Sequence, residues 1–172
     1  DLAPGALVAA GGLAYAHHAE QVAVPRNLVV PVPGGVSLRA ASFATVGAIA
    51  LQGVRRAAPQ VGETVVVVGL GLVGQLTVQI LGAAGCRVVG VGSAGSPLEQ
   101  TVRSTTSGVF LAVDAGDLMP RASLWLLATP LLVVANALEI ADVPDSALER
   151  AADVLDSVST ECGVGVPIAD NP

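Results

Sequence analysis

The spacing of apolar positions changes along the chain, and each change predicts an element. Residues 1–37 hold short β-branched stretches, Val22-Ala23-Val24 and Leu28-Val29-Val30, interrupted by Pro25, Pro31 and Pro33. Proline cannot donate to a sheet ladder, so edge strands and loops are expected here. Across residues 38–57, Leu38, Ala41, Val46, Ile49, Ala50 and Val54 recur near three- and four-residue spacing, which predicts a helix ended by Pro59 and Gly62. Thr64–Val68 reads TVVVV, an unbroken β-branched run that predicts a parallel strand buried on both faces. A glycine turn follows, then a helical stretch over 75–84 closed by Gly85, then a second strand over 87–91. Strand, turn, helix and strand make a βαβ unit.

Further on, residues 93–97 read as a loop, 98–103 as a short helix and Val109–Val113 as a strand ending at Asp114. Met119-Pro120-Arg121 opens a helix expected to run to about Ile140, kinked at Pro130. Pro144-Asp145-Ser146 starts the last helix. There Ser146 and Glu149 have capping-box spacing, Leu148, Ala151, Ala152, Leu155 and Val158 share one face, and Gly163 ends it. The expected fold is therefore α/β: a Rossmann-like three-layer parallel sheet, preceded by a short β/loop segment and ending in two helices.

Composition narrows the chemistry. The 172 residues suffice for one domain, or one plus part of another. All eight basic residues are arginine, which excludes a Walker phosphate loop and a Schiff-base lysine. Fourteen acidic residues leave a net charge of −6, and four aromatics (Tyr15, Phe43, Phe110, Trp125) make no base-stacking surface, so no nucleic-acid partner is expected. Residues 1–92 carry three acids and five arginines, whereas 93–172 carry eleven acids and three arginines. That break near Ser93 suggests two units. Hydrophobic content of 52% excludes disorder.

The longest apolar run, residues 124–138, is shorter than the roughly 20 residues of a membrane span and contains Pro130 and Asn136. It predicts a buried helix rather than a membrane contact. With no leader pattern at the start, a cytoplasmic location is expected. The chain opens on Asp1 and stops at Pro172, which suggests a piece of something longer. Two cysteines and two adjacent histidines cannot furnish a structural zinc cluster. Cys86 and Cys162 are each read as small buried apolar residues, and no metal is assigned.

Gly69, Gly71 and Gly74 form G-x-G-x-x-G directly after the predicted strand and at the opening of a helix. Gly69 permits a tight turn, Gly71 lets a diphosphate approach the backbone, and Gly74 lets the helix pack close on the strand. The free N–H groups at the helix start hold the anion. The candidate cofactor-binding residues are Gly69, Leu70, Gly71, Leu72, Val73 and Gly74, with Gly92 and Ser93 at the end of the next strand. The cofactor is NAD or NADP. An acid about 20 residues on would favour NAD, but this chain has Gly92, Ser93 and Ser96 there. The first acid is Glu99, and Arg103 lies further along.

Residues 5–92 resemble the medium-chain, zinc-type alcohol dehydrogenase superfamily. The resemblance is carried by AHHAEQVAVPRNLVVPVP, SFATVGAIALQGVRRAAPQVGETVVVVGLGLVG and AAGCRVVGVG. It implies hydride transfer between a nicotinamide cofactor and an alcohol or carbonyl. It makes 1–37 the remnant of a β-rich catalytic domain and 38–92 the dinucleotide-binding βαβ unit. The family's late zinc ligand falls at Thr45, and His17 and His18 lie where residues pack rather than ligate, so the chain is expected to be incomplete for catalysis.

Residues 93–172 resemble instead the later part of a sugar-isomerase (SIS) domain of the bifunctional phosphoglucose/phosphomannose isomerase type. The matching residues are SAGSPLEQ, VFLAVDAGDLMPRASLWLLATPLLVVANALEI and VPIADNP. That resemblance implies Arg121 as the group that stabilises an enediolate, with a sugar phosphate (glucose, mannose or fructose 6-phosphate) as ligand. The alternatives are thus a nicotinamide-dinucleotide-binding oxidoreductase fragment, a phosphosugar isomerase module, or an inactive composite of the two. A homodimer is left open.

Overall fold

The computed structural model describes residues 2–69, 71–114, 116, 124–163, 165–167 and 169. It divides into two compact units, residues 1–114 and 115–172.

In the first unit, β1 (Val8–Ala10) pairs antiparallel with β2 (Val29–Pro31), Ala9 opposite Val30. Residues 22–24 are loop rather than strand. The single helix expected over 38–57 is two: α1 (Leu38–Ala41), capped by the Ser37 hydroxyl, and α2 (Ala44–Ala57). The break has a local cause. The Ser42 hydroxyl donates to the Arg39 carbonyl at 2.7 Å, and the Phe43 N–H bonds three residues back to Ala40, tightening the turn out of α-helical register.

The α/β core follows in the predicted order: β3 (Thr64–Val68), α3 (Leu72–Ala83), β4 (Arg87–Ser93), α4 (Pro97–Arg103) and β5 (Val109–Val113). The three strands form one parallel sheet ordered β3-β4-β5, with Val68 beside Val91 and Ser93 beside Val113. This is an α/β, Rossmann-like arrangement, in which two successive crossovers in one direction lay α3 and α4 on the same face. Their apolar stripes, Val78 with Leu81 and Leu98 with Val102, are buried against Val67, Cys86 and Val88. Val54 of α2, Val65 and Phe110 complete this core.

Burial of β3 on both faces is corrected. It is the edge strand of the described sheet, and Val66 and Val68 are 38% and 39% exposed, while Val67 on the helix side is buried. An uninterrupted valine run reports strand propensity, but burial also needs something laid over each face.

The second unit contributes α5 (Leu124–Ala137) and α6 (Asp145–Glu161), so the chain ends in helices as expected. Pro130 lies within α5, and the Asn136 side-chain oxygen accepts the Val143 N–H at 2.9 Å. The buried helix expected over 124–138 is not found, because Leu124, Trp125, Val133 and Leu138 are all exposed. An all-round apolar helix is buried only where partners surround it. The Ser146–Glu149 capping box is also corrected: α6 is capped at Pro144, with no side-chain cap, so Ser146 already lies inside the first turn. Of its expected apolar face, Leu155 and Val158 are exposed. Cys86 is buried, whereas Cys162, at the end of α6, is exposed. Among the described residues no helix is long and apolar enough to cross a membrane.

Candidate functional site

β3 leads straight into the glycine turn. Gly69 has φ +127°, a conformation that side-chain-bearing residues rarely adopt. Gly71 is extended (φ −81°, ψ −177°) and caps the N-terminus of α3. Leaving aside its two chain neighbours, no described atom lies within 4 Å of a Cβ built on Gly71, so the rest of the described fold leaves that position uncrowded. Gly74 is the opposite case. A Cβ there would run into the carbonyl oxygen of Gly69, because the first turn of α3 crosses the end of β3 at close range. Gly74→Ala is accordingly expected to cost about 2 kcal/mol despite alanine's helix preference, read as a lowered melting temperature.

No side chain caps α3, and no acidic residue occupies its first turn. The leading N–H groups of a helix have no intrahelical partners, and they carry the positive end of its dipole. Gly71, Leu72, Val73 and Gly74 line an open cavity of about 680 Å³ together with Val54, Val65, Val67, Gly69 and Leu81. The register of β3 on β4 sets Gly92 and Ser93 one and two residues past Val91, the partner of Val68. They therefore stand beside the glycine turn at the carboxyl ends of adjacent strands, where ligands of parallel α/β sheets bind. Gly92 is buried and Ser93 half-buried.

Of the sequence-predicted residues, Gly69, Leu72, Val73, Gly71, Gly74, Gly92 and Ser93 thus gather at one end of the sheet. Leu70 and Arg121 lie outside the described residues. His18 and Thr45 line a separate cavity beside α1 and α2, and among the described residues no three His, Cys, Asp or Glu side chains group as metal ligands would.

Sequence reasoning passed over Glu99. It lies beyond the position where a ribose-binding acid is sought, yet its side chain folds back over the turn that follows β4. Its Oε2 accepts the Gly95 N–H at 2.7 Å, and its Oε1 takes Arg103 Nε and a terminal guanidinium nitrogen, each at 2.8 Å. The Ser96 hydroxyl accepts the Glu99 N–H at 3.4 Å and caps α4. The Gly95 N–H, and after it Arg103, hold the Glu99 carboxyl below the usual carboxylate range. The signal in the sequence was Ser96-Pro-Leu-Glu99, a capping-box spacing.

No protein-family model matches the chain, and no curated protein matches it. Solved structures do. A mycobacterial protein complexed with NADPH is 23% identical, with a TM-score of 0.51, covering 69% of this chain and 33% of that one. A structure of a mycobacterial quinone oxidoreductase gives the same values. The quinone oxidoreductase from Thermus thermophilus, also solved with NADPH, is 37% identical over 45% of this chain and 27% of its own, with a TM-score of 0.40. This chain spans about a third of the length of the mycobacterial structures it matches. The mycobacterial likeness is one of fold. The comparisons lend no support to the sugar-isomerase resemblance of residues 93–172.

Proposed function

We propose that residues 38–92 are a nicotinamide-dinucleotide-binding unit, of the kind found in medium-chain dehydrogenases and reductases, and that it takes NAD or NADP. Gly69, Leu70, Gly71, Leu72, Val73 and Gly74 would hold the diphosphate, and Gly92 and Ser93 would lie by the adenosine ribose. The observation that carries this reading is the contrast between two glycines of one turn. Gly74 is required by the protein's own packing, whereas nothing in the protein crowds a side chain at Gly71. An empty approach over uncapped helix N–H groups is what a diphosphate needs.

The cradle fits the group on three counts: open space at Gly71, unchallenged donors at the start of α3, and no acidic side chain in that first turn to repel phosphate. When bound, the nicotinamide supplies or accepts a hydride. The chain's own part is to fix the diphosphate through backbone N–H groups and the helix dipole, and to offer the Ser93 hydroxyl beside the ribose. The residues of β3, α2 and α3 beside the turn offer the dinucleotide a largely apolar surface. The likeness to the NADPH-complexed mycobacterial fold supports this reading.

Titration with NADH and NADPH, followed by nicotinamide fluorescence, tests it. Saturable binding with Kd below roughly 1 mM is expected for at least one of them. No saturable signal with either at millimolar concentration overturns it.

A further inference from the structure

We infer that the outer edge of β3 is a docking site for an extended segment of another polypeptide, which adds to the sheet as a further strand between β3 and α2 and carries an acidic end toward Arg56. The inference goes beyond the dinucleotide reading and does not depend on it, since it needs only β3 and α2.

Alternate residues of β3 bond to β4, and the others turn their backbone groups outward. The Arg87 N–H bonds to the Glu63 carbonyl at 2.8 Å, and in a parallel pair such bonds recur at every second residue. Val65 and Val67 therefore face β4, which leaves the N–H and C=O groups of Thr64, Val66 and Val68 on the free edge. No strand pairs there among the described residues. Edge strands are ordinarily guarded by a charge, a proline or a bulge. Thr64–Val68 has none of these: it holds only Thr and Val, and its register on β4 advances without a break. The side chains of Val66 and Val68 are exposed as well.

The space beside this edge suits a strand. Val46, Gly53, Val54 and Ala57 of α2 line one cavity together with four consecutive residues of β3, 65–68. A ligand that satisfies a row of donors and acceptors along such an edge is itself an extended backbone, with alternate side chains turned to the apolar wall. The rim sets its charge. α2 contains no acid and ends in Arg55 and Arg56, both exposed and without an ion pair among the described residues. Arg56 lies three residues beyond Gly53, so it stands one helical turn further along the side of α2 that lines the cavity. Only residues 58–63 join α2 to β3, which keeps both arginines toward the Thr64 end of the edge. Arg87, paired with Thr64 in the register, is exposed at the same end. Against these three cations stands Glu63, whose carboxylate accepts the Gln60 N–H at 2.7 Å. An acidic residue at that end of the added strand meets a net positive rim.

Fluorescence anisotropy of labelled synthetic peptides, titrated with the full chain and no cofactor, tests this. Two peptides, Thr-Val-Thr-Val-Thr with an Asp pair before or after it, cover parallel and antiparallel addition. One of them should bind with Kd below about 0.1 mM, and its counterpart with Asn for Asp at least about threefold more weakly. Val66→Pro removes an N–H that faces away from β4, and Val66→Lys places a guarding charge on the edge. Each should weaken binding at least about tenfold, with circular dichroism melting to report whether the fold persists. Arg56→Glu should weaken the Asp peptide and leave the Asn peptide as it was. No binding of either Asp peptide at about 1 mM, or binding unchanged in folded Val66→Lys, overturns the inference. An Asn peptide that binds as tightly overturns its acidic end. A chain that sediments as a dimer, and as a monomer once Val66→Lys is made, assigns the edge to a second copy and overturns it too.

Discussion

Gly71→Val is expected to lower dinucleotide affinity at least about 100-fold while costing the fold no more than about 1 kcal/mol. The two effects separate because of where the glycine sits. Its backbone is extended and accepts any side chain, and beyond its chain neighbours a Cβ there meets no described atom within 4 Å. Valine is only a poorer helix cap than glycine, which accounts for the small stability loss. Its methyl groups, however, would stand in the space over the N–H groups of the first turn of α3, where a diphosphate must come within hydrogen-bonding distance. Parallel NADH titration and thermal melting of the variant check both halves. A variant that binds as wild type shows that the ligand does not approach this turn.

The largest loss of stability is expected from Leu98→Ala, about 3 kcal/mol. Leu98 is fully buried, among the largest side chains of a core that also holds Leu81, Val78, Val88 and Val102. With so few large residues in the cluster, little can relax into the space that alanine leaves. A stability change of that size is a sizeable share of what a small unit possesses. It should appear as a lower urea midpoint at unchanged slope. A cost below about 1 kcal/mol would show that α4 is not held on the sheet through this contact.

The parts of the fold that sequence reveals are those whose cause is local. TVVVV predicts a strand over Thr64–Val68, and the strand has those bounds. The glycines after it predict a strand-to-helix turn, and Gly69 and Gly74 meet two separate demands of it, a positive φ and a close backbone approach. Gly85, also at positive φ, marks the close of α3.

What sequence does not reveal depends on residues distant in the chain. The valines of β3 look alike, yet Val67 is buried and Val66 and Val68 are not, because β3 lies at the edge of the sheet and only one face receives α3. The break at Ser42 and Phe43 comes from a serine hydroxyl turned back on Arg39, which the apolar spacing of 38–57 conceals. Pro144 takes the cap that the Ser146–Glu149 spacing suggests for Ser146.

The site divides in the same way. Gly69, Gly71 and Gly74 are legible from spacing, and the placement of Gly92 and Ser93 beside them follows from parallel register. Glu99 is hidden because its partners lie in the turn and helix after β4: from the first turn of α4 its carboxylate accepts the Gly95 N–H and pairs with Arg103.

Backbone amide spectra of the isotopically labelled full chain, recorded during titration with NADH, test the central claim most directly. Saturable shifts should be largest at Gly69, Leu72, Val73 and Gly74, with Gly71 among them and Gly92 and Ser93 next, while the amides of α6 stay in place. Shifts that leave residues 69–74 unmoved while others respond would contradict the account.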